Sequence, residues 1–384
     1  MNVLVLNAGS SSLKFSLTDT RAQRHRLRGL VERIGLEQAR LTLEGRTEAV
    51  AAADHAAALQ AVLRRLDLDL VEAVGHRVVH GGDFTASSRI TAEVLERLEA
   101  FVPLAPLHNP ANLAGIRAAL TALPHLPQVA VFDTAFHQTL PERAWRYALP
   151  RRLADERRYR RYGFHGTSHR YVSGKLARAL GRPLEELRLV VLHLGNGASA
   201  TAVRYGRSVD TSMGFTPMEG LVMGSRSGDL DPGLVLELVR RHGVEATDRL
   251  LNKESGMLGL AGHSDLRDVH RRIAEGDAQA AMALQVYTYR IKKYLGAYAA
   301  AMGGLDAVAF TAGVGENDPV VRAQALEGLE FLGLELDPEA NARGGPRITR
   351  EGSRVSAWVI PTDEELAIAL DTERVLAGQP PSST

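Results

Sequence analysis

Two stretches of this chain follow one plan, and they constrain its fold more than anything else in it. "VLVLNAGSSSLKFSL" (3–17) and "VVLHLGNGASATAV" (190–203) each run from an apolar strand through a glycine-rich polar turn into a second β-prone strand. An apolar run without polar alternation reads as a strand buried on both faces. Helix-rich segments follow each copy, about 185 residues apart. The pattern predicts an α/β protein built from two copies of one unit. The length agrees: 384 residues are long for one compact domain and comfortable for two.

Other elements fit the same frame. "HAAALQAVLRRL" (55–66) has helical spacing with Asp54 as its cap, and "AVGHRVVHGG" (73–82) is a strand stopped by two glycines. "QVAVFDTAF" (128–136) is a buried strand ending in an acid. "DPGLVLELVRRHG" (231–243) places Asp231 as cap, Pro232 at the first helical position and Gly243 past the end. A long helix is expected over Ala278–Met302, closed by Gly303 and Gly304. "DAVAFTAGVGENDP" (306–319) reads as strand, glycine loop and proline-started helix, and "VSAWVIPTDEELAIAL" (355–370) as a last strand and helix. "AGQPPSST" is expected to be a frayed tail.

Composition narrows the function. A net charge of +1 creates no global field for nucleic acid or membrane. The absence of cysteine excludes disulfides, iron–sulfur clusters, thiolate zinc and a cysteine nucleophile. No signal-peptide pattern and no run of about 18 apolar residues is present, so a cytoplasmic protein is expected. Only five of the 46 basic residues are lysines, at 14, 175, 253, 292 and 293, and one of them lies in the first turn.

Common nucleotide and metal motifs do not fit. A Walker loop needs a glycine five residues before Gly174-Lys175, where His169 stands, and Leu176 replaces the hydroxyl residue. "GNGASA" (195–200) satisfies the loose dinucleotide pattern, but a β-prone segment follows it where a helix must open. His76/His80 and His165/His169 lack the glutamate of a zinc-protease pair, and a strand would hold the first two about 13 Å apart at ~3.3 Å per residue. What remains are polar residues at strand ends, where α/β folds bind ligands. "NAGSSSLKF" (7–15) is either a hairpin turn or a phosphate cradle. In "GSRSGDLDP" (224–232), Arg226 has room to reach a ligand; the alternative is a loop closed by pairing with Asp229 or Asp231.

Read together, the motifs resemble the acetokinase family, within the acetate and sugar kinase, heat-shock chaperone and actin superfamily. "NAGSSSLKF", "GHRVVHGG", "PLHNP", "VFDTAFH", "YGFHGTSH", "HLGNG", "TPMEGLVMGSRSGDLDP", "SDLRD", "FTAGVGEN" and "PTDEELAIA" occur in family order over nearly the whole chain. The resemblance implies a duplicated ribonuclease-H-like, actin-like ATPase fold with two domains around a cleft that closes on nucleotide. The expected domains are 1–136 plus 366–384, and 137–365 carrying most of the nucleotide site. It further implies a homodimer and reversible, direct in-line transfer of the ATP γ-phosphoryl to acetate, giving acetyl phosphate and ADP. Mg2+, or Mn2+ in its place, is the implied metal.

The family's site residues carry over by motif. Asp133, His165 and Arg226 are the implied catalytic groups. Arg77 would grip the acetate carboxylate, with Val79, Leu107, Phe164 and Pro217 around its methyl group. Asn7 and Glu364 would hold the metal. His193, Leu194, Gly195, Asn196 and Gly197 would touch the phosphates. Asp265, Leu266 and Arg267 would enclose the nucleoside with Gly313, Val314, Gly315, Glu316 and Asn317. Lys14 would act on phosphate or support the first turn. Two residues depart from the family pattern: Ser225 stands where threonine is usual, and Asp363 where asparagine is usual, adding a charge beside the expected metal carboxylate.

The chemistry agrees with the inventory. Phosphoryl transfer to a carboxylate brings two anions together, so catalysis is chiefly positioning and charge neutralisation. The acceptor is already ionised at neutral pH, and no strong base is needed. Two other readings stay open: a kinase of propionate or butyrate, and a non-enzymatic nucleotide-gated protein.

Overall fold

A computed structural model of the protein describes residues 1–379; the last residues of the expected tail, 380–384, lie outside them. The chain forms two compact units. Among the described residues, unit 1 comprises Met1–Gln138, Gly166–Ser168 and 363–379, and unit 2 comprises Thr139–His165 and His169–Thr362. The expected limits at 136 and 365 therefore fall at 138 and 362, and Gly166–Ser168 joins the first unit.

Unit 1 holds β1 (Asn2–Gly9), β2 (Ser12–Asp19), β3 (Arg24–Glu32), β4 (Arg40–Leu43), β5 (Arg46–Ala49), β6 (Ala73–Val78), β7 (Ser88–Arg89) and β8 (Gln128–Phe132). Their order is β5-β4-β3-β2-β1-β6-β8-β7. β1, β2 and β3 form an antiparallel meander; β6 lies parallel to β1, and β8 parallel to β6. Unit 2 holds β9 (Arg188–Leu194), β10 (Ala198–Arg204), β11 (Arg207–Thr211), β12 (Ala307–Thr311) and β13 (Ser356–Val359), ordered β11-β10-β9-β12-β13. Again three antiparallel strands precede two parallel ones. The two sheets thus share a five-strand topology, the duplicated ribonuclease-H-like fold, and unit 1 adds β4, β5 and β7.

The alternation of side chains across a strand explains the apolar "VLVL". Leu4 and Leu6 join a core with Leu59, Val62 and Ala119, from helices α1 (His55–Leu63) and α2 (Asn109–Ala122). Val3 and Val5 join a second core with Val129, Val131 and Ile368, the last from the C-terminal helix Glu364–Leu376. Asp54 caps α1 by accepting from Ala57 N at 2.8 Å. The helix ends at Leu63, short of the expected Leu66, because Arg65 and Leu66 bond three residues back in a tighter turn.

In unit 2, α3 (Pro232–His242) starts on its Asp231 cap and has no buried residue. α4 (Leu266–Ala274) is capped by Asp265, and the long α5 (Ala278–Met302) ends in left-handed Gly303. One expectation needs correcting. "AGVGEN" is no glycine loop but a helical turn, α6 (Ala312–Asn317), followed by α7 (Pro319–Leu326). Glu316 makes the turn possible: its Oε1 accepts from Ala312 N at 2.9 Å and from Thr362 N at 3.0 Å. No described helix is long and apolar enough to cross a membrane.

Candidate active site

In unit 1 the expected residues gather at strand ends. Arg77 is the penultimate residue of β6, and Asp133 directly follows β8. Arg77 donates to Asp133 through Nε at 3.1 Å and Nη2 at 2.7 Å, and its Nε lies 3.9 Å from Glu364 Oε2. Burial alone would weaken the guanidinium's hold on its proton, but Asp133 and Glu364 more than offset this and keep it charged. Asp133, 1 % exposed, is therefore the group that orients Arg77. Val79 is buried beside them, its amide donating to Asn112 Oδ1 at 2.9 Å, whereas Leu107 is 56 % exposed.

Asn7 and Lys14 are cross-strand partners in the β1–β2 hairpin, so their side chains share a face of the sheet. Lys14 forms an ion pair with Glu365. Its amine is thus engaged by the C-terminal helix, as expected of a support for the first turn. The same pair brings the Asn7 face of the hairpin to the helix end that carries Glu364. Asp363 caps that helix by accepting from Leu366 N at 3.0 Å. It also meets His25 Nε2 at 2.8 Å and Arg28 Nη2 at 3.0 Å. Its extra charge is consumed by these contacts, which outweigh burial and hold its carboxyl below the usual range.

Unit 2 contains a cavity of about 720 Å3. Gly195 and Asn196 from the β9–β10 turn line it, with Asp265, Leu266 and Arg267 at the start of α4. Gly313, Val314 and Asn317 of α6 line it too. Five expected neighbours do not: His193, Leu194 and Gly197, and Gly315 and Glu316, the last turned into the α6 corner. Sequence reasoning also missed Met257, Tyr287 and the His270–Asp318 pair, joined at 2.6 Å across the wall. Hydrogen bonds from the Arg267 side chain and amide hold the Asp265 carboxyl down at about 2. The volume and mixed lining suit a nucleoside-sized ligand.

Around the second turn three imidazoles cluster. His165 has a left-handed backbone (φ 55°), and its ring stacks on His193 with centroids 4.2 Å apart. Ser199 Oγ lies 2.9 Å from His165 Nδ1 and 2.7 Å from His169 Nε2. Ser199 went unnoticed in the sequence, although the hairpin register pairs it with His193 and so puts both on one face. A Cβ at Gly197 would sit 3.6 Å from both Arg226 Nη1 and the His165 ring, so that turn brings bare backbone between the two groups. Phe164 is 2 % exposed.

Arg226 is half-buried, with Nη1 donating to Pro217 O at 3.2 Å and lying 3.9 Å from Met223 Sδ. Among the described residues it has no carboxylate partner, and burial lowers its hold on the proton. The bland alternative fails on geometry. Asp229 is taken by Gly220 N and the Tyr294 hydroxyl, and Asp231 caps α3. Ser225 uses its hydroxyl on Asn252 O, at 3.1 Å.

A family model described as the acetokinase family matches residues 2–370. The chain belongs to the acetokinase family. Among curated relatives, the acetate kinase of Streptomyces avermitilis is 55 % identical, covering 96 % of each chain. That of Thermotoga maritima is 49 % identical, covering 98 % of this chain and 99 % of its own. Among solved structures, the acetate kinase of Porphyromonas gingivalis is 44 % identical with a TM-score of 0.93, over 98 % of this chain and 99 % of that one. A propionate kinase from Francisella tularensis is 40 % identical with the same TM-score, over 97 % and 99 %.

Proposed function

We propose that this protein is a phosphotransferase that moves the γ-phosphoryl of ATP reversibly to acetate, giving acetyl phosphate and ADP. The observation that carries the reading is Arg226, a half-buried guanidinium without a carboxylate partner among the described residues, beside His165 and the glycine turn. A buried uncompensated cation is costly, and an anionic ligand removes the cost.

In this reading Arg77 holds the acetate carboxylate. Asp133 occupies its Nε and one Nη2 proton, which leaves Nη1 and the second Nη2 proton for substrate. An acetate oxygen attacks the γ-phosphorus in line, and the β–γ bridging oxygen leaves with ADP. Arg226 and His165 stabilise the equatorial oxygens during transfer. His193 and the Gly195–Gly197 turn support the phosphates, and the cavity between α4 and α6 takes the nucleoside. Asn7 and Glu364 supply a neutral and an anionic oxygen, a donor set that fits Mg2+ held mainly by phosphate and water. When bound, the metal supplies neutralising charge on the phosphate oxygens. We further propose that the protein works as a cytoplasmic homodimer.

Mixing the protein with MgATP and acetate and trapping acetyl phosphate as its hydroxamate tests the reading; no product in either direction overturns it. Arg226→Lys keeps charge but loses the planar guanidinium, and should cut kcat on the order of 100-fold or more without unfolding the protein. The likeness to a propionate kinase supports a second reading, in which a longer acid is the substrate. Val79, Leu107, Phe164 and Pro217 favour acetate, since none is as small as glycine or alanine. One misplaced methylene is worth roughly 10–200-fold in kcat/KM. Propionate should therefore be a poor substrate and butyrate nearly inactive; butyrate at or above acetate would select the second reading.

A further inference from the structure

We propose that Asp229 and Tyr294 are positioning residues that keep Arg226 available to an anion, by holding away the one acid that would neutralise it. The proposal rests on the reading of Arg226 as the phosphoryl-binding group.

Asp229 is three residues from Arg226, the acid nearest to it in the chain. In a glycine- and serine-rich loop, such a pair would ordinarily close on itself. Here both carboxylate oxygens are engaged elsewhere. Oδ1 accepts from Gly220 N at 2.9 Å, and Oδ2 accepts from the Tyr294 hydroxyl at 2.7 Å. The Asp229 amide returns a bond to Gly220 O, also at 2.9 Å, so residues 221–228 form a loop closed at its neck. Gly228 belongs to that neck: its φ is 68°, and a Cβ there would lie 2.6 Å or less from the carbonyls of Leu221 and Gly220.

Tyr294 comes from α5, a 25-residue helix that holds the hydroxyl from outside the loop. Burial, reinforced by Asp229, pushes the phenol well above its ordinary range, so it remains a donor. On the loop's other side Gly256 gives close support, with φ 61° and space for a Cβ denied by Met223 O and Arg226 O. Arg226 itself turns to Pro217 O. Without the Tyr294 hydroxyl, Asp229 Oδ2 loses its donor; Arg226 stands three residues away in the same loop, while Arg290 is held by the Asp229 carbonyl, its Nη1 donating there at 3.4 Å. The carboxylate would swing to the guanidinium and occupy the anion site from within.

Three proteins decide the matter: the wild type, Tyr294→Phe, and the double variant Tyr294→Phe/Asp229→Asn. Each is measured for kcat of acetyl phosphate formation, for inorganic phosphate binding by calorimetry, and for Tm. Tyr294→Phe should lose about tenfold in kcat and weaken phosphate binding by a similar factor. The double variant should recover most of both losses, because asparagine still accepts from Gly220 N but offers Arg226 no charge. A merely structural hydroxyl predicts the opposite, a double variant no better than the single one, and that result overturns the proposal. Wild-type values in Tyr294→Phe overturn it too. If the wild type makes no acetyl phosphate, the functional reading falls, and phosphate binding across the three proteins still decides this one.

Discussion

His76 lies in β6, 2 % exposed, with Nε2 2.8 Å from Gln128 Oε1. Burial pushes its pKa down to about 4, against about 6.5 for an unfolded histidine. Between those values the unfolded chain binds a proton that the folded chain does not, so stability falls as pH drops from 6.5 towards 4. The loss is at most roughly 3 kcal/mol. Urea titrations at several pH values should show His76→Gln with a shallower acid limb than the wild type; parallel limbs would clear His76 of this role. The histidine pair that suggested a metal in the sequence thus contains a packed, neutral side chain. The placement of the candidate residues Arg77, Asp133 and Arg226 was legible because each stands at a strand end or between small neighbours. Their supports were not. Tyr294 is 65 positions from Asp229, and nothing in the local sequence announces that hydrogen bond.

Elements were legible where local chemistry decides them. The two hairpins follow from apolar runs and glycine turns, α3 from its aspartate cap and terminal glycine, and α5 from the glycines that close it. The turn at Ala312–Asn317 was misread because Glu316 stabilises it through Thr362, 46 residues away. The C-terminal helix opens with three acids that have different tasks. Asp363 caps it and binds Arg28, Glu365 pairs with Lys14, and Glu364 approaches Arg77. Glu364→Ala should raise the Mg2+ concentration for half-maximal activity on the order of 10–100-fold, with little change in acetate KM. An acid in a first helical turn is also worth ~0.3–1 kcal/mol through the helix dipole. If the Mg2+ curve stays in place while Tm drops, the dipole is all that Glu364 serves.

At the scale of the molecule, α3 stands out because none of its five leucines and valines is fully buried, with Leu234 46 % and Leu236 56 % exposed. Met282 and Tyr289 of α5 are each 58 % exposed. Apolar helices left uncovered mark a surface for association, and a second copy is the commonest partner. Light scattering should give twice the 41.6 kDa of the chain, and Leu236→Glu should shift the mass to one chain. A dimer unaffected by that substitution would place the interface elsewhere. The packing of β1 has a consequence for synthesis on the ribosome. Val3 and Val5 share a core with Ile368 and Ala369, which are made about 365 residues later. At about 5–20 residues per second, the first strand waits roughly 20–70 s for the helix that covers its second face. Residues 169–362 need no such partner. The later-made unit should therefore become protease-resistant first, and stalled nascent chains lacking residues beyond 362 should leave the amino-terminal segment open to cleavage.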